Sequence, residues 1–137
     1  MMNADRPYLV SACLLGLRTR YDGGSKAVSW LARHTRKLIP VCPEQLGGLP
    51  TPRPPAEILD GDGWAVLEGR VHVVNRKGED VTQAFIRGAE EVLRLARLLR
   101  AEGMILKARS PSCGLSPKMG VCAALLRLHG YTLIEID

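Results

Sequence analysis

Cys13, Cys42 and Cys113 each follow a short apolar run: Tyr8-Leu9-Val10-Ser11-Ala12, Leu38-Ile39-Pro40-Val41 and Met104-Ile105-Leu106-Lys107-Ala108. Runs of this length predict strands. In an open parallel sheet, ligands bind in the crevice beyond the carboxyl ends of the strands. Three thiols at three such ends could meet around one metal centre, although they are far apart in sequence. Three protein ligands rather than four would leave one metal position open for chemistry. Soft thiolates suit iron–sulfur chemistry or zinc better than a hard cation. No two cysteines form a C-x-x-C pair, which argues against a structural zinc site. The fourth, Cys122, lies inside Val121-Cys122-Ala123-Ala124-Leu125-Leu126 and reads as helix core.

Other chemistry-bearing residues cluster beside these thiols. Glu44 stands two residues after Cys42, in a proline-rich stretch, where it could act as a general acid/base. Ser110 and Ser112 flank Pro111 just before Cys113. Such residues favour turns, and they could also anchor a substrate or relay a proton. Lys107 and Arg109 could meet an anion at the same rim, and Arg20-Tyr21-Asp22-Gly23 could close over the site. His34, His72 and His129 read as surface or structural histidines rather than ligands.

The elements that must position these groups follow from the pattern. After the first strand, Leu14 to Ser25 is a loop with turns. Ala27 to Lys37 has Val28, Leu31 and Ala32 at helical spacing and predicts a short helix. Pro43 to Pro55 carries five prolines and a Gly-Gly pair, which excludes helix and central strand and predicts a long irregular loop. A small hairpin is expected within Ile58 to Asn75, with strands Trp64–Leu67 and Arg70–Val74 and a turn at Glu68-Gly69. Asp80 should cap the longest helix, Val81 to about Ala101, with Gly103 ending it. A helix from about Gly120 to Leu128 and a strand from Tyr131 to Ile136 complete the chain. The alternation predicts an α/β fold: one compact domain over residues 1–137, with a small, mainly parallel, Rossmann-like sheet, crossover helices and a small β-hairpin insertion.

Bulk properties narrow the function. At 137 residues one domain with a real core is expected. The net charge of +5 and pI of about 9.3 favour anionic ligands. Aromatic residues make up only 4%, too few for a base-stacking nucleic-acid surface. No stretch is apolar enough to span a membrane, and Met1 to Pro7 lacks a signal-peptide core. A cytoplasmic protein is expected, in which cysteines are more often metal-binding or catalytic than disulfide-bonded.

Taken together, Ser11-Ala12-Cys13-Leu14-Leu15-Gly16, Arg20-Tyr21-Asp22-Gly23-Gly24, Val41-Cys42-Pro43-Glu44-Gln45-Leu46-Gly47-Gly48 with Leu49-Pro50-Thr51-Pro52-Arg53, and Leu106-Lys107-Ala108-Arg109-Ser110-Pro111-Ser112-Cys113-Gly114 resemble the thiouracil desulfidases. The resemblance runs from the first strand to the last. It implies a [4Fe–4S] cluster held by Cys13, Cys42 and Cys113, with an open fourth iron that takes sulfur from a thiocarbonyl. It places the catalytic acid on Glu44 and the catalytic serine on Ser110. Ser11, Asp22, Lys107 and Ser112 are the candidate substrate-binding residues. The implied substrate is a small thiolated pyrimidine base or its nucleotide, with no membrane or DNA partner. One departure stands out: only Leu115 to Met119 joins Gly114 to Gly120, where the family usually has a longer Gly-rich stretch.

Two other functions fit the residues. A zinc hydrolase could use the same three cysteines with Glu44 as base. A non-catalytic, metal-stabilised module could transfer sulfur or bind RNA, with the positive charge as its only support.

Overall fold

The computed structural model describes residues 6–33 and 37–137. Its central feature is a four-stranded sheet: β1 (Tyr8–Ser11), β2 (Leu38–Val41), β5 (Gly103–Lys107) and β6 (Thr132–Ile136), in the order β2-β1-β5-β6. Every pairing is parallel, with Tyr8 opposite both Leu38 and Gly103, and Gly103 opposite Thr132. All four residues of β1 are buried, as a central parallel strand requires. Pro40 lies in β2, an edge strand, where its missing N–H costs no ladder bond. The predicted α/β sheet is therefore present.

The chain steps from β1 outward to β2, then returns to the other side of β1 to form β5. The connection reverses between β1 and β5, and that switch point is where such sheets bind ligands.

One sheet face is covered by α3 (Thr82–Leu99) and α4 (Val121–Leu128). Leu9, Met104 and Leu106 meet Phe85, Ala89, Val92, Ala96, Cys122 and Leu126 there, all buried. Cys122 is thus core, as expected. Tyr8, Val10 and Ile105 point to the opposite face, against Leu14 and Leu31. Asp80 accepts a hydrogen bond from the Thr82 N–H at 2.9 Å, securing the start of α3. Among the described residues no helix is long and apolar enough to cross a membrane.

Several local expectations are corrected. Pro43–Leu46 is a one-turn helix, α1, inside the proline-rich stretch; Pro43 sits at its first turn, where a missing N–H is tolerated. The hairpin exists, but its strands are β3 (Ala56–Ile58) and β4 (Val73–Asn75), paired antiparallel with Ile58 opposite Val73. Trp64–Leu67 belongs to a short helix between them, α2 (Gly63–Leu67), where Asp62 accepts from the Ala65 N–H at 3.0 Å. An apolar run of four carries no period long enough to separate strand from helix, and the cap decides. The helix expected over residues 27–37 reduces to a 3-10 turn at Leu31–Arg33, and His34 lies outside the described residues. Finally, α3 ends because Arg100 takes a left-handed conformation (φ 52°), and Gly103 starts β5. A side chain at Gly103 would run into the Thr132 carbonyl.

Candidate active site

The strand ends deliver the three thiols to one place. Cys13 lies in a 3-10 turn that follows β1 directly, Cys42 precedes α1 at the end of β2, and Cys113 lies in the loop after β5. All three line a single cavity of about 840 Å³. Glu44, Ser11, Lys107, Ser110 and Ser112 share its lining, as do Arg53, Thr19, Arg20, Lys26, Arg109 and Asp137. Most of the expected site residues are thus brought together across nearly the whole chain.

Asp22 is the exception. It is not among the lining residues. Its carboxylate accepts from the Gly24 N–H at 2.8 Å and lies 3.8 Å from Arg20, so it shapes the loop that carries Arg20 and Tyr21.

A hydrogen-bonded chain runs through the cavity wall. Ser110 Oγ accepts from the backbone N–H groups of Ser112 (3.2 Å) and Cys113 (3.1 Å). It lies 3.0 Å from Ser112 Oγ. Ser112 Oγ donates to Glu44 Oε2 at 3.0 Å, because a carboxylate can only accept. The order is therefore Ser110 to Ser112 to Glu44. Ser110 reaches the carboxylate through Ser112, which gives Ser112 a relay position in addition to its expected place at the substrate.

Arg53 closes the chain from the other side, its Nε donating to Glu44 Oε1 at 2.8 Å. Sequence reasoning assigned Arg53 no role. The signal was present: a lone cation in Thr51-Pro52-Arg53-Pro54-Pro55, where the prolines limit what else the loop can do. Ser11 lines the cavity but is only 3% exposed, and its Oγ accepts from the Lys107 N–H at 3.0 Å, locking β1 to β5 at the switch point.

The electrostatics of the thiols follow from their burial. Cys113 is pushed up to about 12, because burial disfavours its charged form; hydrogen bonds from Ser11 and Ser112 pull the other way. Burial and then the neighbouring Cys42 raise Cys13, against the pull of Lys107 and Arg20. Burial therefore favours the neutral thiol at both positions, and a metal bound there would have to displace their protons. All four cysteines are free.

Which metal group could fit is judged from the chemistry of the donors. A single zinc ion holds its sulfurs about 2.3 Å from one point. Among the described residues no three His, Cys, Asp or Glu side chains are grouped tightly enough to hold an ion. Three soft thiols lining one cavity are donors of the kind that ligate an iron–sulfur cluster.

The cavity rim is basic: Arg20, Lys26, Lys107 and Arg109 line it. Arg109 grips Asp137 through Nε and Nη2, both at 3.1 Å. The short 115–119 segment is tied to β6 and to its own start. The N–H groups of Leu115 and Ser116 donate to Glu135 Oε2 at 2.6 and 2.8 Å, and the Gly120 N–H donates to the Gly114 carbonyl at 2.7 Å.

The chain is similar to known proteins over nearly its whole length. Residues 8–137 match the model of the 2-thiouracil desulfurase family. The uncharacterized protein YbbK of Bacillus subtilis (strain 168) is 42% identical over 141 residues, covering 93% of each chain. The solved structure of TudS, described as a [4Fe-4S]-dependent thiouracil desulfidase, superposes with a TM-score of 0.79 at 40% identity, covering 96% of this chain and 91% of that one. The chain belongs to the 2-thiouracil desulfurase family.

Proposed function

We propose that this protein is an iron–sulfur-dependent desulfidase that converts thiouracil, or a thiouridine nucleotide, to the uracil form. The observation that carries the reading is the meeting of three free thiols, one carboxylate and two serines in a single cavity at the switch point of the sheet. The family match and the likeness to a [4Fe-4S]-dependent desulfidase support it.

Cys13, Cys42 and Cys113 would hold the [4Fe–4S] group. When bound, it supplies a soft, electrophilic site that matches the sulfur of a thiocarbonyl. The protein's own part is proton handling and orientation. Glu44 takes a proton from water as the water oxygen adds to the thiocarbonyl carbon. Ser112 and Ser110 carry protons to or from the carboxylate along their hydrogen bonds. The C–S bond then breaks, the oxygen loses its second proton and sulfide departs. Water and thiocarbonyl give carbonyl and hydrogen sulfide, so no electrons are exchanged.

The rim contributes binding. Lys107 and Arg20, with Lys26 beside them, offer the positive charge that a nucleotide phosphate would need, while a free base would use the inner cavity alone. The expected setting is the cytoplasm, where cysteine ligands stay reduced.

The test is turnover of 2-thiouracil and 4-thiouracil by anaerobically reconstituted protein, with uracil and sulfide measured together. Equal amounts of the two products, formed far more slowly by Glu44→Gln, are expected. Binding without uracil formation would overturn the reading in favour of a sulfur-handling module.

A further inference from the structure

Arg53 is a charged residue of the cavity that the chemistry above leaves without a task. It is only 9% exposed. Its guanidinium donates to Glu44 Oε1 and Thr51 Oγ1 at 2.8 Å, to the Thr19 carbonyl at 2.9 Å and to the Pro50 carbonyl at 3.2 Å. Its backbone N–H donates to the Tyr21 carbonyl at 2.7 Å. These contacts join the loop after β1, the one-turn helix α1 and the proline-rich loop.

The arrangement has a direct consequence for Glu44. A four-residue helix holds a side chain weakly by itself. Arg53 takes Oε1 while Ser112, from the loop after β5, takes Oε2. The carboxylate is thus fixed from two sides by donors on different segments. A planar guanidinium with five N–H groups can serve Glu44, Thr51, Thr19 and Pro50 together, whereas a lysine ammonium has three donors and no fork.

We propose that Arg53 is a positioning residue: it sets the aim of Glu44 at the water that attacks the thiocarbonyl carbon. The inference rests on the reading of Glu44 as the acid/base. Groups that orient a reacting residue are commonly worth about 10- to 100-fold in activity.

The experiment uses the reconstituted enzyme and the variants Arg53→Ala, Arg53→Lys, Glu44→Gln and Arg53→Ala/Glu44→Gln. In both Arg53 variants, iron and labile sulfide per chain and the visible spectrum should match the wild type. Their kcat should fall by about 10- to 100-fold, with KM moving much less. Removing Arg53 from the Glu44→Gln protein should add little further loss, because Arg53 acts through Glu44. Wild-type kcat in Arg53→Ala would overturn the inference. So would an equal, independent loss on the Glu44→Gln background. Loss of the cluster in both Arg53 variants would also overturn it, making Arg53 a brace of the fold. If Glu44→Gln turned over like the wild type, the acid/base reading would fail; an insensitive Arg53 beside a sensitive Glu44 would sink only this inference.

Discussion

Gly47 and Gly88 lie face to face where the end of α1 meets α3. A side chain on Gly88 would run into the Pro43 carbonyl, and one on Gly47 into that of Ala84. The close approach seats α1, and with it Glu44, directly on the backbone of the longest helix. The carboxylate of the site therefore depends on two glycines that touch no substrate.

Gly88→Ala should cost about 1–3 kcal/mol of stability, because backbone must move to admit the methyl group. The shift passes through α1, so activity should fall by more than the lost folded fraction explains. Chemical denaturation and kcat, measured at a temperature where the variant is fully folded, check both parts.

Ser112→Ala removes the donor to Glu44 Oε2 and the link to Ser110. A kcat loss of about 10- to 100-fold is expected, with iron content retained. Ser112→Thr keeps the hydroxyl and should recover much of the rate. Steady-state kinetics of the pair gives the answer.

The four cysteines should divide three to one. Cys13→Ser, Cys42→Ser and Cys113→Ser should each lose stable iron binding. Cys122→Ser should keep it, since Cys122 is fully buried in α4 among core residues and does not line the cavity. Iron analysis of the four purified variants, with circular dichroism to check folding, decides this.

Asp80 illustrates a pH effect away from the site. Hydrogen bonds from Thr82, and then the nearby His72, hold its carboxyl below the ordinary aspartate value. A depressed acid stabilises the fold above its unfolded pKa and loses that contribution as pH falls through the folded one. Asp80→Ala should therefore lower Tm at neutral pH. The gap from wild type should close as the pH drops below 3.8. Thermal melts at pH 7 and under acid conditions provide the measurement.

The parts of the fold that could be read from sequence are those with a long or strongly patterned signal. The strand runs before Cys13 and Cys113 are apolar enough to be buried on both faces, the run before Cys42 forms the edge strand β2, and α3 repeats its apolar positions over eighteen residues. The thiol cluster was legible for the same reason, since parallel strands aim their ends one way. Short elements were not. Trp64–Leu67 is too brief to show a helical period, and its helix is announced only by the Asp62 cap. Pro43 looked like a helix breaker but stands at a helix start. Arg53 was hidden because its partners lie in three separate segments. Asp22 was expected at the substrate from a loop that could close over the site, and its carboxylate accepts from the Gly24 N–H within that loop, a local contact that the motif alone does not show.

The central claim is that Cys13, Cys42 and Cys113 together hold an iron–sulfur cluster. The most direct measurement is iron and acid-labile sulfide content, with a visible absorption spectrum, of anaerobically reconstituted protein. The account predicts about four iron and four sulfide per chain with broad absorption near the blue, abolished in Cys13→Ser. A colourless protein that takes up one zinc and no iron would contradict it.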